Sequence, residues 1–309
     1  MPMADSGMSL NVLGCAAAIP TPGRMTSCQV LENRQSLYMI DCGEGAQTMF
    51  RKMRLPFNRL RHIFISHLHG DHCLGLPGLL SSMGLQESRE IVTVHIFERG
   101  AEQFDALLRV IGHDLPLQIQ WNVIRPDQCG VILDEPALTV ETFRLSHNDT
   151  PAVGFLFRQK PKARHLRGDV ANALGIPVWQ RRGIRLGDDW TRPDGTVVPN
   201  SALTMPADPS VSYAYASDTT FSRRVVDAVR GVDMLYHEAT YGNEFGRLAR
   251  ERGHSTAAQA ARVAVEAGVR HLLIGHFSKR YPDPKPLLDE ARSIFPATEA
   301  AAPGMRLKL

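Results

Sequence analysis

Short apolar runs separated by turn residues dominate the first third of the chain. Residues 10–13, 28–31 and 36–40 are rich in Leu, Val, Ile and Tyr, which predicts an opening β region. Further along, residues 257–267 follow Ser255 and Thr256 with an alanine-rich stretch, which is typical of a capped helix. A second helix is predicted at residues 285–294. The pattern therefore indicates a mixed α/β protein.

Several strand-like runs end in a residue that can bind a metal. Residues 63–65 lead into the sequence Ser-His-Leu-His-Gly-Asp-His at 66–72, and residues 140–146 lead into His147. Residues 211–217 likewise lead into Asp218, and residues 272–275 into His276. Because functional sites in α/β sheets assemble at the carboxyl ends of strands, these side chains are expected to meet.

The run at residues 66–72 is the strongest chemical signal, since imidazole nitrogens and carboxylate oxygens are zinc ligands. A solvated His-rich loop is the alternative for this run taken alone. Together with the later strand ends it gives seven candidate ligands: His67, His69, Asp71, His72, His147, Asp218 and His276. One tetrahedral zinc needs four ligands, so seven residues with one shared carboxylate fit a two-metal hydrolase.

Composition is that of an ordinary globular protein. The chain has 309 residues, 43% of them hydrophobic and 22% charged. The start, residues 1–9, lacks a signal-peptide pattern, and no apolar run approaches the length of a membrane helix, so a cytoplasmic protein without membrane association is expected. The five cysteines form no C-x-x-C pair and are expected to be reduced, partly buried thiols.

The stretch 157–209 interrupts the regular alternation of elements and is rich in Arg, Gly, Asp and Pro. Nine Lys or Arg and three Asp fall between 157 and 192, a local charge of +6, whereas the whole chain carries +3. Segregated positive charge suits binding to a phosphate backbone, although a solvated basic loop is the alternative. Trp179 in this stretch is predicted to pack, with stacking on a nucleotide as the second possibility.

The H-x-H-x-D-H run and its later partners resemble the metallo-β-lactamase superfamily. Within it the chain looks like short-form ribonuclease Z, the endonuclease that removes the 3′ trailer from precursor tRNA. The resemblance runs from residues 13–14 to 295–296. Its most specific pieces are residues 66–72 continuing into 75–80, the His-Glu-Ala-Thr at 237–240, the His-Ser-Thr at 254–256, and residues 276–281.

This resemblance implies an α/β fold, a metallo-β-lactamase αββα sandwich formed by a single domain over residues 1–309. The stretch 157–209 would be an inserted flexible basic arm, the tRNA-binding exosite, which protrudes and grips the elbow of tRNA, commonly on the partner subunit of a homodimer. Family arms often carry a Gly-Pro pair that is missing here, where the chain has Gly175-Ile176-Pro177.

The resemblance also implies residue roles. It assigns one zinc ion to His67, His69 and His147, a second to Asp71, His72 and His276, and a bridging position to Asp218, giving two zinc ions per subunit. Asp71 would orient or deprotonate the attacking water, and His254 would protonate the departing 3′ oxygen. A helix-start polar residue is the alternative for His254.

Other residues are expected to support the site or bind substrate. Asp41 is expected to support a ligand histidine. Arg280 is expected to clamp a phosphate, because its planar guanidinium matches phosphate oxygens, with a surface salt bridge as the alternative. Ser278 and Glu238 complete the candidate substrate residues, and Glu238 could instead orient His254.

The predicted function is therefore zinc-dependent endonucleolytic processing of precursor tRNA. A hydrolase of small phosphodiesters or sulfate esters is the enzymatic alternative, but it leaves the basic insertion without a role. A tRNA-binding protein with a degenerate metal site is the non-enzymatic alternative, although all seven candidate ligands are present.

Overall fold

The computed structural model describes residues 7–86, 91–111 and 117–309. Most of the start of the chain, in which the sequence shows no signal-peptide pattern, lies outside the described residues. Among the described helices, none has the length and apolar character needed to cross a membrane.

The strands are numbered in chain order: β1 Met8–Gly14, β2 Cys28–Asn33, β3 Ser36–Ile40, β4 Leu60–Phe64, β5 Ile91–Phe97, β6 Gln118–Ile124, β7 Val131–Asp134, β8 Leu138–Arg144, β9 Val153–Gln159, β10 His165–Leu166, β11 Trp190–Thr191, β12 Val197–Val198, β13 Thr204–Met205, β14 Ser212–Ala216, β15 Met234–Glu238, β16 His271–Gly275, β17 Thr298–Ala300 and β18 Arg306–Lys308.

The α-helices are α1 Ala46–Lys52, α2 Gly70–Cys73, α3 Leu76–Leu85, α4 Glu98–Ile111, α5 Gly168–Ala173, α6 Arg181–Leu186, α7 Asn200–Leu203, α8 Arg223–Ala228, α9 Gly246–Glu251, α10 Ala257–Ala267 and α11 Lys285–Arg292. Short 3-10 helices lie at Phe57–Arg59, Val178–Gln180 and Asn243–Phe245.

Two seven-stranded sheets form the body of the protein. Their strand orders are β18-β1-β2-β3-β4-β5-β6 and β17-β16-β15-β14-β9-β8-β7. The neighbours β3 to β6 run parallel, as do β14 to β17, so the carboxyl ends of several strands share one edge in each sheet. Strand β18, which comes late in the chain, pairs antiparallel with β1 and forms one edge of the first sheet.

Alternation along β3 shows how the layers are built. Tyr38 and Ile40 belong to a core shared with the second sheet, whereas Leu37 and Met39 belong to a core shared with helices α1, α3 and α4. Successive side chains of a strand point to opposite faces, so one strand supplies both cores. Since α8, α10 and α11 cover the other face of the second sheet, the layers form the predicted αββα sandwich.

Local sequence signals place the elements well. The predicted helix at 257–267 is confirmed as α10, where Thr256 and Gln259 form a reciprocal capping box. The helix predicted at 285–294 forms but ends at Arg292. Cys15, Cys28, Cys42 and Cys73 are buried free thiols and Cys129 is an exposed free thiol, which confirms the expectation of unpaired cysteines.

The inserted segment leaves and re-enters the second sheet at one point. Strand β9 continues through Gln159, whose amide bonds to the Val211 carbonyl at 3.0 Å, and Ser210 Oγ bonds to the Lys160 carbonyl at 3.0 Å. Residues 160–210 therefore form a lateral extension whose two ends lie side by side. We call this extension the arm.

The arm has a small apolar core of its own, formed by Ala171, Ile176, Ile184, Trp190 and Leu203. The prediction that Trp179 packs is wrong: its side chain is 77% exposed, and Trp190 is the buried tryptophan. Trp190 is fixed by a bond from its Nε1 to Gln180 Oε1 at 2.7 Å. Trp179 is thereby available on the arm surface.

Candidate functional site

All seven candidate ligands lie at the carboxyl ends of strands or in the loops that follow. His67 and His69 follow β4, and Asp71 and His72 lie on the single-turn helix α2. The remaining three follow β8, β14 and β16. The structure brings all seven together, and each except the exposed His69 is at most 8% accessible to solvent.

A first group contains His67, His69, His147 and Asp218, whose ligand atoms all lie within 4.8 Å of one another. The Nε2 atoms of His67 and His147 are each 3.7 Å from Asp218 Oδ2. His147 Nε2 is 3.3 Å from His69 Nδ1. One oxygen of Asp218 therefore faces this group.

The second group contains Asp71, His72 and His276. The Nε2 atoms of His72 and His276 are each 3.3 Å from Asp218 Oδ1 and 3.3 Å from one another. His276 Nε2 is also 3.3 Å from Asp71 Oδ2. Asp218 thus turns its two oxygens toward two different ligand groups.

These residues fit a pair of zinc ions. Bonds of 2.0–2.1 Å in a tetrahedral site place neighbouring ligand atoms about 3.3 Å apart, which matches the closest spacings seen here. His67 Nε2 is buried without a hydrogen-bond partner among the described residues. Burial first, and then the neighbouring imidazole of His72, lower the pKa of His67, so its ring is neutral, as a ligand must be.

Asp41 lies behind the second group and contacts His72, as expected of a residue that supports a ligand histidine. Its Oδ2 accepts hydrogen bonds from His72 Nδ1 at 2.7 Å, Tyr215 Oη at 2.7 Å and Ser66 Oγ at 2.9 Å. Its Oδ1 accepts from the Ser66 amide at 2.7 Å. The bond to His72 Nδ1 turns the opposite nitrogen, Nε2, toward the site.

Other ligands are oriented in the same way. His276 Nδ1 lies 2.8 Å from Thr240 Oγ1, and His147 Nδ1 lies 2.9 Å from the Gly253 carbonyl. Gly253 has φ +74, and an added Cβ would meet His147 Nδ1 at 2.9 Å, so glycine is required there. His276 itself has φ 58, a left-handed conformation that non-glycine residues rarely adopt outside such constrained sites.

His254 stands beside the ligand groups and contacts a buried carboxylate. Its Nδ1 is 2.9 Å from Glu238 Oε1, and Glu238 is fully buried. Burial would lower the pKa of His254, but the Glu238 carboxylate raises it to about 9. His254 also lies near Asp218 and His276, but its Nδ1 is already committed to Glu238.

Asp71 is held in its ionised form. Burial favours the neutral acid, but the adjacent imidazoles of His72 and His276 hold the pKa of Asp71 well below its usual range. Its Oδ2 also accepts a hydrogen bond from the Ala18 amide at 2.7 Å. Ala18, in the segment between β1 and β2, therefore contacts the site directly.

The ligand groups open onto a cleft of about 660 Å³. Ser278 and Arg280 line this cleft, as predicted substrate residues should. Glu238 needs correction as a candidate substrate contact: it is fully buried and bonds to His254 and to Thr240, so it lies behind the cleft wall. Tyr241 and Arg252 also line the cleft, although no pattern in the sequence singled them out; only their adjacency to the 237–240 and 254–256 motifs could have indicated them.

Curated relatives match over nearly the full length. Ribonuclease Z of Porphyromonas gingivalis is 45% identical over 305 residues, 98% of this chain and 100% of the relative. Ribonuclease Z of Parabacteroides distasonis is 42% identical over 99% of this chain and 100% of the relative. Ribonuclease Z of Bacteroides fragilis is 43% identical over 97% of this chain and 98% of the relative.

Solved structures agree on the fold. The short form of human tRNase Z matches with a TM-score of 0.69 at 25% identity, covering 97% of this chain and 98% of the human one. The metallo-β-lactamase fold protein YhfI of Bacillus subtilis matches with a TM-score of 0.67 at 19% identity, covering 97% of this chain and 98% of that one.

A family model described as "Anti-Pycsar protein Apyc1" matches residues 8–162, which include the candidate ligands up to His147 but not Asp218, His254 or His276. The full-length relatives span all of these positions. The first half of this chain therefore matches the Apyc1 model. Over its whole length, the chain belongs to the ribonuclease Z family and has the metallo-β-lactamase fold.

Proposed function

We propose that this chain removes the 3′ trailer from precursor tRNA as a zinc-dependent endoribonuclease with two zinc ions per subunit. The observation that carries the proposal is the His254–Glu238 pair, since it supports a proton donor beside the seven candidate ligands. Membership of the ribonuclease Z family supports the same reaction.

Each residue has a distinct role in this proposal. His67, His69 and His147 would hold one zinc ion, Asp71, His72 and His276 the other, and Asp218 both. When bound, zinc supplies Lewis acidity that activates water and neutralises charge on the phosphate. The ionised carboxylate of Asp71 orients the attacking water by accepting its hydrogen bond.

His254 supplies the proton that the departing ribose 3′ oxygen needs. Because the Glu238 carboxylate raises the pKa of His254 to about 9, the imidazole carries its proton at neutral pH. Glu238 Oε1 accepts from Nδ1 and leaves Nε2 as the donor toward the cleft. Glu238 is itself fixed by the Thr219 amide at 2.9 Å and the Thr240 hydroxyl at 2.6 Å.

The arm would bind the body of the tRNA. Arg164 donates to Thr204 Oγ1 at 2.7 Å, Arg181 to the Ile176 carbonyl at 3.0 Å, and Arg185 to the Arg164 carbonyl at 3.3 Å. These acceptors are uncharged, so the contacts orient the cations without cancelling their charge. Trp179 lies exposed in the 3-10 helix directly before α6 and could stack on a nucleotide.

We also infer a homodimer. A groove of about 460 Å³ between the loop after β4, the turn after α2, and α4 is lined by Leu68, Leu74, Phe104 and Leu107. Exposed Val110 extends this apolar surface along α4. The exposed apolar side chains of Leu74, Leu107 and Val110 on this surface support a protein interface, although Arg99 and Gln103 also line the groove.

Asp218→Ala is expected to lose both zinc ions or to retain one weakly, because it removes the ligand that faces both groups. Zinc content of the purified variant, measured by mass spectrometry, is the test. Glu238→Gln is the matched control, since it changes a buried carboxylate nearby and should retain zinc. If the Asp218 variant retains two equivalents of zinc and full activity, Asp218 is not the bridging ligand.

His254→Ala should bind zinc and precursor tRNA but cleave roughly 10²–10⁴-fold more slowly, since it lacks the general acid. Hydrolysis of bis(p-nitrophenyl) phosphate should fall much less, because a nitrophenolate leaves without protonation. Equal losses on both substrates would contradict the assigned role.

The pH dependence of cleavage follows from the raised pKa of His254. Because the acid form is required, wild-type activity should persist below pH 9 and decline as the pH rises through about 9. Glu238→Gln should move this decline to lower pH, since it removes the charge that raises the pKa. If the activity of the variant declines at the same pH as that of the wild type, Glu238 does not set the pKa of the general acid.

Replacing residues 161–209 by a short Gly-Ser turn should preserve the sandwich, because Lys160 and Ser210 are already in contact. Hydrolysis of bis(p-nitrophenyl) phosphate should survive, whereas precursor tRNA should bind weakly. The slope of log K against log salt should also flatten by about 0.7–0.9 for each lost phosphate contact. If the deletion variant processes precursor tRNA with wild-type efficiency and salt sensitivity, the arm does not bind tRNA and is only a solvated loop.

Light scattering should find a dimer for the wild type and a monomer for Val110→Glu or Leu107→Glu, because a buried unpaired carboxylate destabilises an apolar interface. Val265→Glu is the control, since Val265 is 51% exposed on α10, away from the groove. A monomeric wild type, or dimeric groove variants, would overturn this assignment.

A further inference from the structure

A cluster of aromatic and basic side chains forms the cleft wall on the His254 side. The Tyr241 ring lines the cleft with its centroid 6.1 Å from that of His254 at an interplanar angle of 62°. Phe245 lies behind it, with centroids 6.3 Å apart. None of the roles assigned above uses either aromatic side chain.

Two arginines flank this ring. Arg252 and Arg280 both line the cleft, and both lie close enough to Tyr241 for their positive charge to oppose the rise in its pKa that burial causes. The Arg280 guanidinium sits 5.4 Å from the centre of the Phe245 ring. Two acids near this wall are paired: Glu251 with Arg247 at 2.8 Å, and the buried Glu238 with His254 at 2.9 Å. The local charge around Tyr241 is therefore positive.

The backbone fixes the Tyr241 ring relative to His254. The Tyr241 amide donates to the Ser255 carbonyl at 3.4 Å, and its carbonyl accepts from the Ala257 amide at 2.9 Å. The next residue, Gly242, donates its amide to Tyr281 Oη at 2.9 Å. Tyr241 and His254 are thus held on one rigid frame formed by the start of α10.

The departing 3′ oxygen identifies the nucleotide that Tyr241 would meet. If His254 protonates that oxygen, the ribose beside His254 belongs to the last nucleotide retained by the tRNA. A ring about 6 Å from His254 is within reach of the base on the same ribose, since ribose and base are directly bonded. Arginines on either side suit the adjoining phosphates.

We propose that Tyr241 is the stacking platform for the base of the nucleotide preceding the cut, and that Arg252 and Arg280 bind the backbone phosphates beside it. This subsite rests on the proposed function. Every base offers a π face, so a stacking platform tolerates any of the four bases. The enzyme would thereby position tRNAs that differ in their last retained nucleotide without reading its identity.

The test is binding of product tRNA, which has no bond left to cleave, to the zinc-loaded protein. One RNA ends in a normal nucleotide at the cut position and the other in an abasic nucleotide, and fluorescence anisotropy gives both dissociation constants. The wild type should bind the abasic RNA roughly 5- to 150-fold more weakly, as expected for one base stacked on an aromatic ring. Tyr241→Ala should bind both RNAs equally, whereas Tyr241→Phe should discriminate like the wild type.

Tyr241→Leu provides a second variant that fills the space against Phe245 without a π face, and it should also fail to discriminate. Trp179→Ala is the aromatic control: any loss of affinity should be the same for both RNAs. The subsite is overturned if the wild type does not discriminate, if the Ala and Leu variants still do, or if Tyr241→Phe does not. Failure of the proposed function is a separate result, namely a wild type that leaves precursor tRNA uncut.

Discussion

The Asp218 carboxylate is the electrostatic centre on which the site depends. It is 2% exposed and lies within 3.7 Å of four imidazole nitrogens. A buried carboxylate is tolerated only when positive or polar groups surround it. Here the imidazoles converge from β4, α2, β8 and β16, so this requirement ties the loops of both sheets to one point.

Asp41 is a second buried carboxylate that needs polar partners, and it lies behind the candidate ligands. Its four hydrogen bonds come from the end of β4, from α2, and from Tyr215 on β14 of the second sheet. The residue adopts φ 54, and the surrounding bonds offset the cost of that conformation. Rigid orientation of His72 is the functional result, because a ligand ring that rotates would lose its place in the metal group.

Much of this arrangement could be predicted from sequence because local patterns determine it. Strand periodicity, the polar residue at each strand end and the capping box at Thr256 are all local, and the sheet topology then brings the strand ends together. Glu238 was harder to place: a strand-end carboxylate can face the cleft or lie beneath it, and only packing against His254 and Thr240 decides. Tyr241 lies three residues beyond β15 and Arg252 directly after α9, and neither belongs to a periodic pattern.

The arm shows the same limit. Its core residues, from Ala171 to Leu203, are irregularly spaced between very short elements, so no period marks them. Trp179 precedes Gln180 and Arg181 whereas Trp190 follows Asp188 and Asp189, so both have polar or charged residues beside them, yet Trp179 is exposed and Trp190 buried. Their difference arises from the Gln180 contact and from the turn after α6, which are tertiary features.

The pairing of β18 with β1 has a consequence for how the chain is made. Strand β1 lies between β2 and β18, so it has an unpaired edge until Arg306–Lys308 are available. At about 5–20 residues per second, a ribosome reaches that segment roughly 15–60 s after completing β1. During that interval the nascent chain exposes a strand edge that is open to wrong pairing, so the first sheet needs protection until synthesis is almost complete.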